Sequence, residues 1–297
     1  MIHEVEELLR RQAQAWPQLA SGIEGLALAK TRPVRIGWYE ILIRHIPHRV
    51  ASTTAAVDRE SVAKRPCFLC AKNLPAEEEG VQFDDRFTIY CNPFPIVDRH
   101  LTIVQREHVP QSIANRAESM LDLAAALPGY FVIYNGPQCG ASAPDHMHFQ
   151  AGWRGLFPIE RESARLSGIT VPGYGRNVYV FRGRDRAELI ERIDRAIDLL
   201  SAITPSRAEP LLNLAAFCDV GEWVVYLFPR GKHRPGVFHT GELTVSPAAI
   251  DLCGIFVVPL ANDFEKITGQ AIEAIFREVT LPDGLFFEIA KRLENER

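Results

Sequence analysis

The chain lacks any apolar run near the ~18–20 residues that cross a bilayer, so no membrane-spanning helix is expected. Its opening stretch, MIHEVEELLRRQAQAW, alternates charged with apolar side chains and holds no apolar signal core. No secretion signal is read there, and the expected location is the cytoplasm. Positive charge is not in excess either: 33 basic side chains face 37 acidic ones, a net charge of −4. Nucleic acid is therefore not an expected partner, because a broad nucleic-acid surface needs a basic face to neutralise phosphates. A local basic pocket for a nucleotide stays open. Cysteine is sparse, and six of them, unevenly placed, exclude a disulfide framework in a chain of 297 residues. No low-complexity tract or long linker occurs, so the two halves are expected to pack on each other. What remains is ordinary for a soluble globular protein, with 47% hydrophobic and 24% charged residues. The length suggests two domains or one double-sized fold.

Two cysteines, Cys67 and Cys70, form a C-x-x-C pair that points to a metal or redox site. Cys91, Cys139, Cys218 and Cys253 stand alone in apolar surroundings and read as small buried hydrophobes. Helical spacing of Val5, Leu8, Leu9 and Ala13 predicts a helix over residues 2 to 29. Residues 38–43 read as strand and 51–64 as loop. Strands over 87–90 and 101–104 flank the turn Asn92-Pro93-Phe94-Pro95, since proline cannot donate to a ladder. A short helix over 120–127 precedes a buried strand over 130–134, and a further strand restarts over 145–150. The strongest helix spans 184–203, ended by Pro205 and Pro210. Residues 211–217 and 223–228 read as a hairpin, and helices over 262–278 and 283–295 close the chain. One internal echo stands out: Arg106-Glu107-His108-Val109-Pro110 and Lys232-His233-Arg234-Pro235 each follow a strand.

The sharpest signal is Asn135-Gly136-Pro137-Gln138-Cys139-Gly140-Ala141-Ser142-Ala143-Pro144-Asp145-His146-Met147-His148-Phe149-Gln150. If residues 146–150 are extended, the period of two puts His146, His148 and Gln150 on one face, with Met147 and Phe149 in a core. Two imidazoles and an amide are costly to bury without partners, so such a strip is expected to meet a ligand or a metal. The loop before it is rich in Gly and Ser and can bring backbone N–H groups close to phosphate. Phe94 and Trp153 read as core side chains.

The His146-x-His148-x-Gln150 strip resembles the His-x-His-x-Gln motif of the nucleotidyltransferase branch of the histidine-triad superfamily. That branch includes galactose-1-phosphate uridylyltransferases and diadenosine tetraphosphate phosphorylases. Asn135 with its glycine-rich loop, Asn92-Pro93-Phe94-Pro95 followed by His100-Leu101, and Leu212-Asn213-Leu214 with Trp223 and Phe228-Pro229-Arg230 extend the resemblance over residues 65–260. It implies an α+β fold: an antiparallel sheet flanked by helices, duplicated as two half-barrels. The domains would be an N-terminal helical segment (1–30), a catalytic half (31–175) and a second half (176–297).

The implied chemistry is ping-pong nucleotidyl transfer from a nucleoside polyphosphate or nucleotide sugar. His148 would attack the α-phosphorus, and Gln150 would bond the phosphoryl oxygens. Phosphate or a sugar phosphate would then accept the nucleotidyl group. Asn135, Gly140, Ser142, His100, Lys232, His233 and Arg234 are the expected substrate-binding residues. The resemblance also implies a structural Zn2+ on Cys67, Cys70, His108 and His146, a closed tetrahedral set. Met147 and Phe149 stand where uridylyltransferases favour Pro and Gly, which moves the chain toward the phosphorylases. A hydrolase using the same pocket and a non-catalytic nucleotide sensor are the alternative readings.

Overall fold

Runs of β-branched and aromatic residues collect into two sheets, and the larger one carries the site. The computed structural model describes residues 1–164, 168–204 and 209–295. Its strands are β1 (Lys30–Ile36), β2 (Tyr39–His45), β3 (Gly80–Phe83), β4 (Phe87–Cys91), β5 (Leu101–Gln105) and β6 (Tyr130–Asn135). They continue as β7 (His148–Trp153), β8 (Tyr179–Gly183), β9 (Leu212–Asp219), β10 (Glu222–Pro229) and β11 (Ile255–Val258). The large sheet has eight strands in the order β3-β4-β5-β7-β6-β9-β10-β8, with every neighbouring pair antiparallel. The halves of the chain thus share one continuous sheet, joined where β6 pairs β9. A small sheet, β1-β2-β11, closes over it, with β11 parallel to β2.

One face of the large sheet packs against helices Ala117–Ala126, Arg186–Ile203 and Asp283–Asn295. Met147 and Phe149 are fully buried in that core, as the alternation predicts. The opposite face carries Phe131, Ile133, Phe217 and Tyr226, and these pack against Ile41 and Ile43 of β2 and Phe256 of β11. Ile133 lies opposite Gln150, so this core and the strip's second and third polar residues share one side of the sheet. Among the described residues no helix is long and apolar enough to cross a membrane.

The expected hairpin is present as β9 and β10, turning at Val220 and Gly221, both with positive φ. The expected long helix runs Arg186–Ile203, capped by the Asp185 carboxylate, which accepts from the N–H groups of Ala187 and Glu188. Pro205 lies outside the described residues. Other boundaries differ for local reasons. The N-terminal helix breaks into Ile2–Ala15 and Pro17–Ala27, because Pro17 holds Trp16 extended and starts a new helix at its first position. Residues 51–64, read as loop, include the short helices Val50–Thr53 and Arg59–Ala63. The helix over 262–278 is two helices, Ala261–Lys266 and Gly269–Val279, the second capped by Thr268 Oγ1. Cys91, Cys139 and Cys253 are buried as expected, whereas Cys218 is half-buried.

Phe149 packs against Phe87 and Tyr134, with ring centroids 5.7 and 6.0 Å apart. Phe149→Ala should lower the free energy of unfolding by about 3–5 kcal/mol, measured by guanidinium chloride denaturation. A loss below about 1 kcal/mol would contradict the core position of this residue.

Candidate active site

The polar strip divides into two jobs. β7 begins at His148, and His146 sits in the turn before it, its N–H donating to the Ala143 carbonyl at 3.2 Å. His146 points to the cysteine pair, while His148 and Gln150 face a large cavity. His146 Nε2 donates to the Gln105 carbonyl at 2.7 Å, which leaves the Nδ1 lone pair free. That Nδ1 lies 3.2 Å from Cys67 Sγ and 3.6 Å from Cys70 Sγ, and Cys70 Sγ lies 3.2 Å from His108 Nδ1. The four donor atoms are all within 4.8 Å of one another. Bond lengths of about 2.3 Å to sulfur and 2.0 Å to nitrogen imply S···N separations of about 3.5 Å around a tetrahedral zinc. The donor set fits a metal ion in identity, number and spacing. The Gln105 carbonyl completes it by fixing the His146 ring. Asp145, one residue earlier, pairs with Arg65 at 2.8 Å and ties the cysteine loop to this turn.

His148 is 3% exposed, and its Nδ1 lies 2.8 Å from the His146 carbonyl. A carbonyl can only accept, so Nδ1 carries the proton and Nε2 holds a free lone pair. No described residue bonds that Nε2. Burial pulls the His148 pKa down to about 4, so the ring is neutral near pH 7. Gln111, unread in the sequence, clamps the same residue where ladder pairing between β6 and β7 has ended. Its Oε1 accepts the His148 N–H at 2.8 Å, and its Nε2 donates to the carbonyls of Asn135 and His148.

Gln150 is oriented by His100. The Ile96 N–H donates to His100 Nδ1 at 3.3 Å, so Nε2 carries the proton and donates to Gln150 Oε1 at 3.0 Å. The Gln150 amide nitrogen is left to donate into the cavity. His100, 2% exposed and pulled by burial to a pKa of about 3, is neutral and stands behind Gln150, away from the cavity wall.

The Gly- and Ser-rich loop is pinned from the second half of the chain. Asn135 Oδ1 accepts from the Ala249 N–H at 3.0 Å and from Asn213 Nδ2 at 2.8 Å. Asn213 also bonds the Cys139 carbonyl, and its own oxygen accepts from Arg230. Gly140 has φ +101, and a Cβ there would lie 2.5 Å from the Ala248 Cβ, so only glycine fits.

The cavity, about 610 Å³, is walled by Asn135, Gly140, Ser142, His148 and Gln150 on one side. His233 and Arg234 come from the second half, together with Asp251. Sequence reasoning thus assembles most of one pocket, with two corrections: His100, expected to bind substrate, stands behind Gln150 and off the wall, and Lys232 is displaced as well. Lys232 lies outside the wall, because its ammonium pairs with Glu278 at 2.8 Å. Arg234 is engaged in structure, donating to the carbonyls of Thr53 and Ala55. Phe94, expected in the core, lines the cavity and is 46% exposed, while Trp153 packs edge-on against Tyr130. Arg49, Glu78 and Asp251 were also unread. None sits in a motif, and only the fold brings them to the cavity. Burial raises the Glu78 carboxyl to about 7 and that of Asp251 to about 6.

Residues 8–153 match the family described as "Domain of unknown function (DUF4922)", and residues 170–295 match "GDPGP1-like, C-terminal domain". The structure is similar to that of yeast Ap4A phosphorylase Apa2, with a TM-score of 0.62 at 15% identity, covering 92% of this chain and 97% of that one. The fold is histidine-triad-like. The Apa2 complex with AMP gives a TM-score of 0.62 at 14% identity, over 94% of this chain and 96% of the other. The complex with Ap4A gives 0.57 at 14%, over 92% and 97%. No curated protein sequence matches the chain. The five-strand run β3-β4-β5-β7-β6 carries the histidine strip, and β9-β10-β8 extends the sheet.

The His148 and His100 imidazoles should differ in tautomer. Nitrogen-detected NMR of the histidine rings is expected to show His148 neutral with its proton on Nδ1, and His100 neutral with its proton on Nε2, from pH 7 to 5. Protonation should begin only as the pH falls toward the folded values of about 4 and 3. A ring that titrates near 6.5 at either position would contradict the geometry.

Proposed function

We propose that the chain is a nucleotidyltransferase of the phosphorylase type that works through a nucleotidyl-histidine at His148. The observation that carries this reading is the neutral, tautomer-locked His148 whose Nε2 opens on the cavity beside Gln150. Structures of Apa2 with AMP and with Ap4A on a similar fold support a nucleotide as substrate.

The Nε2 lone pair forms a bond to the α-phosphorus, and the leaving phosphate departs with the electron pair of the P–O bond. Nδ1 keeps its proton, and the His146 carbonyl stabilises the positive charge that spreads over the ring. Gln150 Nε2, aimed by His100, donates to a phosphoryl oxygen as charge builds there. An oxygen of phosphate or a sugar phosphate then attacks phosphorus, and the N–P electron pair returns to Nε2. Gly140 and Ser142 of the loop line the cavity, where their backbone N–H groups would meet phosphate oxygens. The duplicated half-barrel plan, with halves at 31–175 and 176–297 behind a helical segment at 1–30, belongs to the same reading. The His-x-Pro turn after β5 supports it, as does the similar one after β10.

Zinc is the proposed metal, held by Cys67, Cys70, His108 and His146. When bound, it would be a structural ion that fixes the turn ahead of β7. We expect about one zinc per chain by elemental analysis. Cys67→Ser should lose the metal and lower thermal stability more than His148→Ala does. Metal-free native protein whose two thiols react freely would refute the assignment.

Mixing the protein with α-labelled nucleotide and no acceptor should trap an acid-labile, base-stable label on His148, released when phosphate is added. His148→Ala should abolish label and turnover while the fold persists. Gln150→Ala should keep the nucleophile and slow turnover by ~10²-fold. Equal turnover with and without phosphate would favour the hydrolase. Label retained in His148→Ala would refute the proposed nucleophile.

A further inference from the structure

Arg49 ends the turn Pro47–Arg49 between β2 and the helix Val50–Thr53. Its backbone is fixed on both sides: the N–H donates to the Ile46 carbonyl at 3.1 Å, and the carbonyl accepts from Ser52 Oγ at 3.1 Å. The side chain enters the cavity wall from this rigid base. Among the described residues its guanidinium makes no hydrogen bond, ion pair or ring contact.

The other two arginines that line the cavity are committed elsewhere. Arg65 donates to Asp145 at 2.8 Å, and Arg234 donates to the Thr53 and Ala55 carbonyls at 2.9 Å each. The carboxylate that acts on Arg49 is Asp251, which stands beyond ion-pair contact. Its two oxygens already accept the N–H groups of Ala248 and Val257 at 2.8 Å each. His48 and His100, also close in charge terms, are both pushed toward the neutral form by burial. Burial draws the Arg49 pKa down to about 10, so the group is still a cation at neutral pH. The half-buried guanidinium has no acceptor among the described residues, so its fork is open to an anion that enters the cavity. Arg49 lines the same cavity as His148 and Gln150, so one ligand can meet all three.

We propose that Arg49 is the anion clamp of this cavity, binding the phosphate beyond the one that His148 attacks. The substrate class is then a nucleotide with at least two linked phosphates, and the clamp meets the charge that develops on the leaving phosphate. A planar fork suits two oxygens of one phosphate. The inference rests on the nucleotide reading of the site, and the test separates the two.

Calorimetry on the full chain would compare AMP and GMP with the α,β-methylene analogues of ADP and GDP, which cannot turn over. The wild type should bind the diphosphate analogue of the preferred base at least about tenfold more tightly than its monophosphate. Arg49→Ala and Arg49→Gln should bring that ratio near one, with monophosphate affinity changed by less than about threefold, and Arg49→Lys should restore part of it. Matching near-ultraviolet circular dichroism and melting temperature establish that the variants are folded, and the Gln variant keeps polar volume if the Ala variant does not fold. Variants that keep the wild-type ratio, or that lose both ligands equally, would overturn the clamp while leaving the nucleotide reading intact. A wild type that binds none of the four compounds would overturn the nucleotide reading and the clamp with it.

Discussion

The site depends on one short contact, the hydrogen bond from His148 Nδ1 to the backbone carbonyl of His146. It sets the tautomer of His148 and presents Nε2 to the cavity. It also joins two sites that differ in purpose, because the residue whose carbonyl accepts this proton is the one whose ring faces the cysteines. The geometry of the Cys/His cluster therefore passes to the His148 ring through a single residue's backbone. Gln111 holds the other side, bonding the N–H and carbonyl of His148 itself. A side chain held by its own ring and by both backbone groups has little freedom left to lose in a transition state.

The electrostatics follow from burial. Three histidines near the cavity, His100, His148 and His233, have pKa values drawn far below the ordinary range, so the site holds neutral imidazoles rather than a cluster of cations. In the proposed transfer, attack by a neutral nitrogen would generate positive charge on a ring whose Nδ1 already bonds a carbonyl. Positive charge meant for the ligand is carried by arginine, whose ionisation burial cannot readily remove. The proposed nucleophile and the proposed anion receptor would thereby be different residue types, each kept in the protonation state its role needs.

Much of this was legible in the sequence. The period of two placed Met147 and Phe149 inward and His148 and Gln150 outward. It also put His146 on that strand face, whereas His146 precedes the strand and its ring turns to the cysteines. The cysteine pair gathers with His108 and His146 as the resemblance implied. The N-terminal helix was overextended although Pro17 carried the signal to stop it. Lys232 was misplaced because a basic turn does not reveal which of its residues meets a carboxylate, here Glu278. Gln111 and Arg49 had no readable pattern: one lies in Val109-Pro110-Gln111-Ser112, the other in Pro47-His48-Arg49. Gln111 acts through bonds to residues 24 and 37 positions away, and Arg49 is brought to the cavity only by the fold. β11 was also missed, since its parallel partner β2 lies more than two hundred residues away in the chain.

The buried amide chain Asn135–Asn213–Arg230 crosses the seam where β6 meets β9. Arg230 is 3% exposed, and its donors go to the carbonyls of Val279, Pro247, Lys232 and His233 as well as to Asn213. Across this seam the two halves hold each other's substitutions in check. A shorter side chain at Asn213 would take one acceptor from Arg230 and one donor from Asn135 at once, so a change there is felt in both halves. In descendants of this chain, these three positions should vary as a set or not at all.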